Sequence, residues 1–215
     1  MIPQIRDQYN AAFSLPQYEK FVAGIQADWP NQLEFRIAET PVFVPKALKD
    51  KLVKACESFV DVMVSPFFKE KTRSAIPAGQ NVPNENAHSS FLAIDFAVCK
   101  DANGELIPQL IELQGFPSIF GFQSYITEHF KKFFPIPAHL SNYFGVANQA
   151  EYIAVLKSVI VGNEDPENVI LLEIYPEQQK TRVDFAVTEA FLGVKAVCYT
   201  QIDRKSTRLN SSHVD

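Results

Sequence analysis

The chain reads as an α/β protein: an α+β N-terminal part built around one antiparallel hairpin, followed by the start of a parallel βαβ domain. Three observations predict this. Two apolar, β-branched arms flank Asp101-Ala102-Asn103-Gly104 within residues 90–118, and Asn-Gly is a strong hairpin signal. Near residue 145 the pattern changes to helix, short strand, helix and short strand. The hydrophobic content of 47% against 21% charged is that of a globular chain.

In order, residues 1–30 read as helical, with Tyr18, Phe21, Val22 and Ile25 on one stripe and Trp29-Pro30 as a stop. Leu33 to Val44 reads as extended. Lys46 to Met63 is a strong amphipathic helix, with Leu48, Leu52, Cys56, Phe59, Val60 and Met63 on one side and Pro66 beyond it. Residues 71–89 form the longest irregular stretch. Long loops of this kind are often functional, and Lys71, Arg73 and His88 in it are candidates for a phosphate or a substrate carboxylate. A solvated loop is the alternative.

The hairpin follows. With Asn103-Gly104 as a two-residue turn, paired residue numbers sum to 207, and Asp95 falls opposite Glu112. Alternation puts Asp95, Ala97 and Cys99 on one face with Pro108, Leu110, Glu112 and Gln114. Ile94, Phe96 and Val98 share the other with Gln109, Ile111 and Leu113. Cys99/Pro108 is then a non-hydrogen-bonded pair, which tolerates proline. Two carboxylates about 4.5 Å apart at Cα repel. A raised pKa on one of them, a bound cation, or a different register would relieve this. The nearby Gln114 amide favours the cation, because carboxylate and amide oxygens are donors that Mg²⁺ takes alongside phosphates. An ordinary hairpin with acids at its wet edge is the alternative.

After the hairpin, Ile119 to Phe134 reads as a helix ended by Pro135 and Pro137. His129 and His139 read as packing or surface residues, since no partner stands at metal spacing. A helix from Asn148 or Gln149 to Val161, a strand at 168–174, a helix from Pro176 to Leu192 closed by Gly193, and a strand from Val194 to Tyr199 complete the pattern. Strand, helix, strand predicts parallel strands with a right-handed crossover. The first strand–helix turn, Tyr175-Pro176-Glu177, has no glycine and does not read as a dinucleotide cradle.

Composition narrows function further. A net charge of −5 argues against nucleic acid as the main partner. Three scattered cysteines, Cys56, Cys99 and Cys198, show neither zinc spacing nor a disulfide framework and fit a reducing, cytoplasmic setting. No apolar run approaches a membrane span, so no membrane partner is expected.

Asp95, the hairpin, Ile111-Glu112-Leu113-Gln114 and then Gly115-Phe116-Pro117-Ser118 together resemble the metal-binding hairpin of the ATP-grasp ligases. The resemblance implies that Asp95, Glu112 and Gln114 hold Mg²⁺ on the phosphates of ATP. The sequence departs from the family pattern in three places: Gln114 stands where Asn is usual, the hairpin is about four residues longer, and Ala93 replaces a frequent Arg. Because the hairpin precedes the βαβ unit, the order resembles the circularly permuted, glutathionylspermidine-synthetase-like branch.

Under that resemblance residues 1–144 are the metal-binding half and 145–202 an incomplete α/β, pre-ATP-grasp-like domain. The nucleotide-holding lysines come later. The implied reaction is ATP-dependent joining of a small-molecule carboxylate to an amine through an acyl phosphate, with Mg²⁺ and ATP required. A noncatalytic ATP-grasp-like binding or scaffold protein and a metal-dependent hydrolase are the other function classes.

Asp203 to His213, DRKSTRLNSSH, resembles the translation of a common sequencing-adapter oligonucleotide. The expectation is that 203–215 is a foreign tail, that it packs against nothing, and that the natural protein is longer, so that this fragment by itself is inactive.

Overall fold

A computed structural model describes residues 2–202 apart from Ala87 and Pro117. The expected tail at 203–215 therefore lies outside the described residues. The fold mixes helix with two small sheets, one antiparallel and one parallel. Among the described residues the chain forms two compact units: residue 2 with 42–117, and residues 3–41 with 118–202.

The first unit holds helix α3 (Lys46–Met63), short helix α4 (Pro66–Thr72), and strands β1 (Ala93–Lys100) and β2 (Leu106–Gln114). The α3 boundaries are those its apolar stripe predicts. Pro66, which the sequence suggests only as a stop, also opens α4, where proline suits a first helical position. One face of the hairpin packs on α3. The rings of Phe59 and Phe96 lie 6.2 Å apart, and Lys51 Nζ donates to the Leu106 carbonyl and pairs with Glu105, both at 3.0 Å. The core here is shallow: Phe43 and Leu48 are its buried apolar side chains among the described residues.

The turn departs from the two-residue reading. Gly104 alone takes positive φ (+80°), and Asp101 and Glu105 already pair through Asp101 N–H to the Glu105 carbonyl at 2.9 Å. This is a three-residue loop with a left-handed glycine. Asp101 Oδ1 fixes it by accepting from the amides of Asn103 (2.9 Å) and Glu105 (2.8 Å). Pairs next to the turn therefore sum to 206: Cys99↔Ile107, Val98↔Pro108, Ala97↔Gln109, Phe96↔Leu110. A bulge then shifts the ladder, and Asp95↔Glu112, Ile94↔Leu113 and Ala93↔Gln114 sum to 207. Pro108 still sits at a non-hydrogen-bonded position, opposite Val98 rather than Cys99, because hydrogen-bonded pairs alternate from Asp101/Glu105.

The second unit holds α1 (Pro3–Ala12), α2 (Leu15–Asp28), α5 (Phe120–Phe133), α6 (Gln149–Ile160), β3 (Ile170–Glu173), α7 (Arg182–Leu192) and β4 (Lys195–Cys198). Residues 1–30 are thus two helices, broken where Ser14 Oγ accepts from the Gln17 amide as an N-cap. An aromatic cluster joins α1, α2 and α5, with Phe21 4.4 Å from Phe130 and Tyr9 5.0 Å from Phe134. The stretch from Leu33 to Val44 joins no sheet. Side chains bond its carbonyls instead: the Tyr9 hydroxyl donates to Glu39 O and the Tyr18 hydroxyl to Ile37 O.

Strands β3 and β4 pair in parallel, Ile170↔Lys195 to Glu173↔Cys198, with α7 as the crossover. The helix begins at Arg182 and not at Pro176, because Tyr175 is left-handed (φ 49°) and residues 176–178 form a separate 3₁₀ turn. Gly193 (φ 75°) closes α7, the left-handed cap that glycine favours.

Candidate functional site

The hairpin brings Asp95 and Glu112 together as direct cross-strand partners, with Gln114 opposite Ala93 one step along the same face. The bulge produces this arrangement. Carried through unbroken, the register of the turn would set Asp95 against Ile111 and turn Glu112 toward α3. One extra residue, the exposed Ile111, shifts the second half of the strand and restores the acid pair. The face membership derived from a uniform register changes with it: Ile107 and Gln109 stand with Cys99 and Ala97, while Pro108 and Leu110 stand with Val98 and Phe96.

Asp95 and Glu112 are both exposed. Water lowers the repulsion between them to about 1 kcal/mol at 4 Å, so the pair is tolerable without a counter-ion. The Gln114 side chain donates its Nε2–H to Glu112 Oε1. The amide thus presents its nitrogen to the carboxylate, and its oxygen becomes a donor to a cation only when the amide turns over.

The other candidates divide. His88 precedes Ser89, whose Oγ lies 2.8 Å from the Gly115 carbonyl and 2.6 Å from that of Phe91. This fastens that end of the loop beside the exit of β2, next to Gln114. Gly115 allows the approach, since a Cβ there would sit 3.3 Å from Ser89 Oγ. Lys71 lies in the last turn of α4 and Arg73 in the 3₁₀ turn after it. All three are exposed. Lys69, pairing with Glu85 at 3.2 Å, ties α4 to the loop.

Among the described residues no cluster of three or more His, Cys, Asp and Glu side chains is arranged to hold a metal. The hairpin offers two carboxylates and one amide, fewer donors than an all-protein cage needs. That set fits a hard cation whose remaining positions belong to water and phosphate oxygens.

The second unit contains polar side chains that the sequence did not single out. Asp184 on α7 is 6% exposed and accepts the Phe122 amide at 2.7 Å. It serves as the N-terminal cap of α5, whose own N-cap residue, Ile119, is left-handed and supplies no side-chain acceptor. Burial pushes the Asp184 carboxyl above its ordinary value, and the amides of Phe122, Ile119 and Gly121 act against that rise. Asp184 and Thr188 stand four apart, each directly after a fully buried valine, Val183 and Val187. A polar pair inside an apolar stripe was the available signal. An open cleft of about 500 Å³ runs along Glu128, Lys131, Ser141, Tyr143, Asn148 and Gln149, and none of the sequence-derived candidates lines it.

Among the described residues no helix is long and apolar enough to cross a membrane. Comparison with known proteins finds no matching family model, no matching curated protein and no matching solved structure.

Proposed function

We propose that the chain belongs to an ATP-dependent carboxylate–amine ligase in which Asp95 and Glu112 hold Mg²⁺ against the phosphates of ATP. The observation that carries this reading is the direct pairing of two exposed carboxylates. The ATP-grasp resemblance of Glu112-Leu113-Gln114-Gly115-Phe116-Pro117 supplies the reaction class, since exposed acids alone would suit any hard cation.

Asp95 and Glu112 would supply the anionic donors, and Gln114 either a third oxygen or the hydrogen bond that orients Glu112. When bound, the cation supplies charge neutralisation at the phosphates. His88 directly precedes Ser89, whose hydroxyl bonds the Gly115 carbonyl beside Gln114, which supports keeping it as a phosphate candidate. In the reaction a substrate carboxylate oxygen bonds to the γ-phosphorus as the bond to the β-phosphate oxygen breaks, releasing ADP. The amine then attacks the acyl carbon, and phosphate leaves.

The test is binding of Mn²⁺, as a stand-in for Mg²⁺, by the 215-residue chain, read by water-proton relaxation with and without ATP. Weak binding is expected, strengthened by ATP. Even outer groups at metal sites are worth 10–100-fold in affinity, so Glu112→Gln and Asp95→Asn should each weaken it about tenfold or more. Wild-type affinity in both variants refutes the reading. Ligation itself is read as phosphate release by a chain that carries the nucleotide-holding lysines, where Glu112→Gln should abolish turnover.

A further inference from the structure

His129, on α5, is 3% exposed and takes no part in the hairpin chemistry. Its Nε2 lies 3.0 Å from the Phe21 carbonyl of α2. A carbonyl only accepts, so Nε2 carries the proton and Nδ1 of the neutral ring is bare. Nδ1 faces the Tyr125 hydroxyl at 3.3 Å, but that hydroxyl donates to Asp28 Oδ2 at the shorter distance of 2.7 Å. The neutral ring therefore keeps a buried lone pair toward an oxygen whose proton is engaged elsewhere.

The ring has little freedom. Phe21 and Phe133 pack on it at 5.2 and 4.8 Å between centroids. A Cβ at Gly24 of α2 would stand 2.9 Å from Nε2. The titratable and charged groups that face it are Asp28 on α2, and Tyr125 and Lys132 on α5; Asp28 Oδ2 is 3.9 Å from Nδ1. Protonation would complete a chain from Nδ1–H through Tyr125 to Asp28, yet it would also place a full charge within an aromatic wall. Phe21 and Gly24 lie against the ring on its α2 side, so hydrating the charge from that side requires α2 to move off α5.

We propose that His129, Tyr125 and Asp28 form an acid-operated latch between α2 and α5, closed while His129 is neutral and released by uptake of one proton from solvent. Burial holds the His129 imidazole below its ordinary value, with Lys132 adding to the effect and Asp28 opposing it. The sign follows. The unfolded chain takes its proton first, near pH 6.5, so stability is complete above that pH and is lost as the pH falls from there toward the folded-state value.

The experiment is urea unfolding of the 215-residue chain between pH 7.5 and 5, paired with NMR titration of the histidine C2 protons. The folded-to-unfolded ratio should fall by up to about tenfold per pH unit below pH 6.5, beyond the fall that remains in His129→Gln. His129 should titrate below the ordinary imidazole value of about 6.5, and Asp28→Asn should move its midpoint further down. Equal pH slopes in wild type and His129→Gln, or a His129 midpoint at or above about 6.5, overturn the proposal. Should His129→Gln not fold, an unmoved His129 midpoint in the surface variant Asp28→Asn overturns it equally.

Discussion

Replacing Asp184 by alanine tests how the two α-helices of the second unit's centre are joined. The carboxylate reaches from α7 to the exposed start of α5, where Phe122 N–H donates at 2.7 Å and the amides of Ile119 and Gly121 also face it. Alanine removes the acceptor without supplying another. Loss of a helix N-cap costs about 0.5–2 kcal/mol, and a buried donor left unsatisfied about 1–3 kcal/mol. These overlap, since they describe the same amides, and removing a buried carboxylate recovers part of its desolvation cost. The net expectation is a loss of about 2 kcal/mol, or about 4–8 °C at 2–4 °C per kcal/mol. Asp184→Asn keeps one acceptor oxygen and should lose less than half as much. Near-UV circular dichroism, which reports the Phe and Tyr cluster, follows the unfolding. The pH dependence gives a second reading. The folded carboxyl holds its proton to higher pH than the unfolded one, so its contribution is present at low pH and declines as the pH rises through the raised value. Asp184→Asn, always neutral, should therefore improve relative to wild type as the pH is raised. An Asp184→Ala variant within about 0.5 kcal/mol of wild type, the range of ordinary surface changes, would refute the capping role.

Two further substitutions test packing and turn geometry. Gly24→Ala gains about 1 kcal/mol of helix propensity, but its Cβ would lie 2.9 Å from His129 Nε2 and 3.0 Å from Phe133 Cζ; overpacking of about 1–3 kcal/mol should prevail, and a raised thermal midpoint would contradict this. Gly104→Ala meets nothing within 4 Å, so its cost is purely that of left-handed backbone, about 1–2 kcal/mol; an unchanged urea midpoint for the first unit would show that the loop does not need φ > 0.

What the sequence could reveal depended on whether the signal was local. The stripe of α3, the Asn148 cap of α6 and the Gly193 stop of α7 each lie within a few residues of the structure they set, and all three are where periodicity places them. The hairpin was legible as a hairpin for the same reason, but its register was not, because two short-range terms act in opposite directions. Asp101 can fix a three-residue loop with its own carboxylate, which outcompetes the two-residue turn and slips the ladder by one. The bulge at Ile111 slips it back. The pairing of Asp95 with Glu112 thus emerged from a uniform register that the hairpin does not have, and it survives because the two irregularities cancel. Such a cancellation would preserve the acid pair while leaving Pro108 and Leu110 on the α3 face. Pro108 is partly covered there, while Leu110 stays 42% exposed; the uniform register would have set both beside the acids. The polar groups of the second unit were less legible, because their partners lie far away in the chain. Asp184 is 62 residues from the amide it caps, and His129 is 108 residues from the carbonyl it bonds. Nothing in the windows around them specifies those partners. The remaining sign is a chemical mismatch: an acid and a histidine on largely buried helix faces, which costs stability unless a partner is waiting.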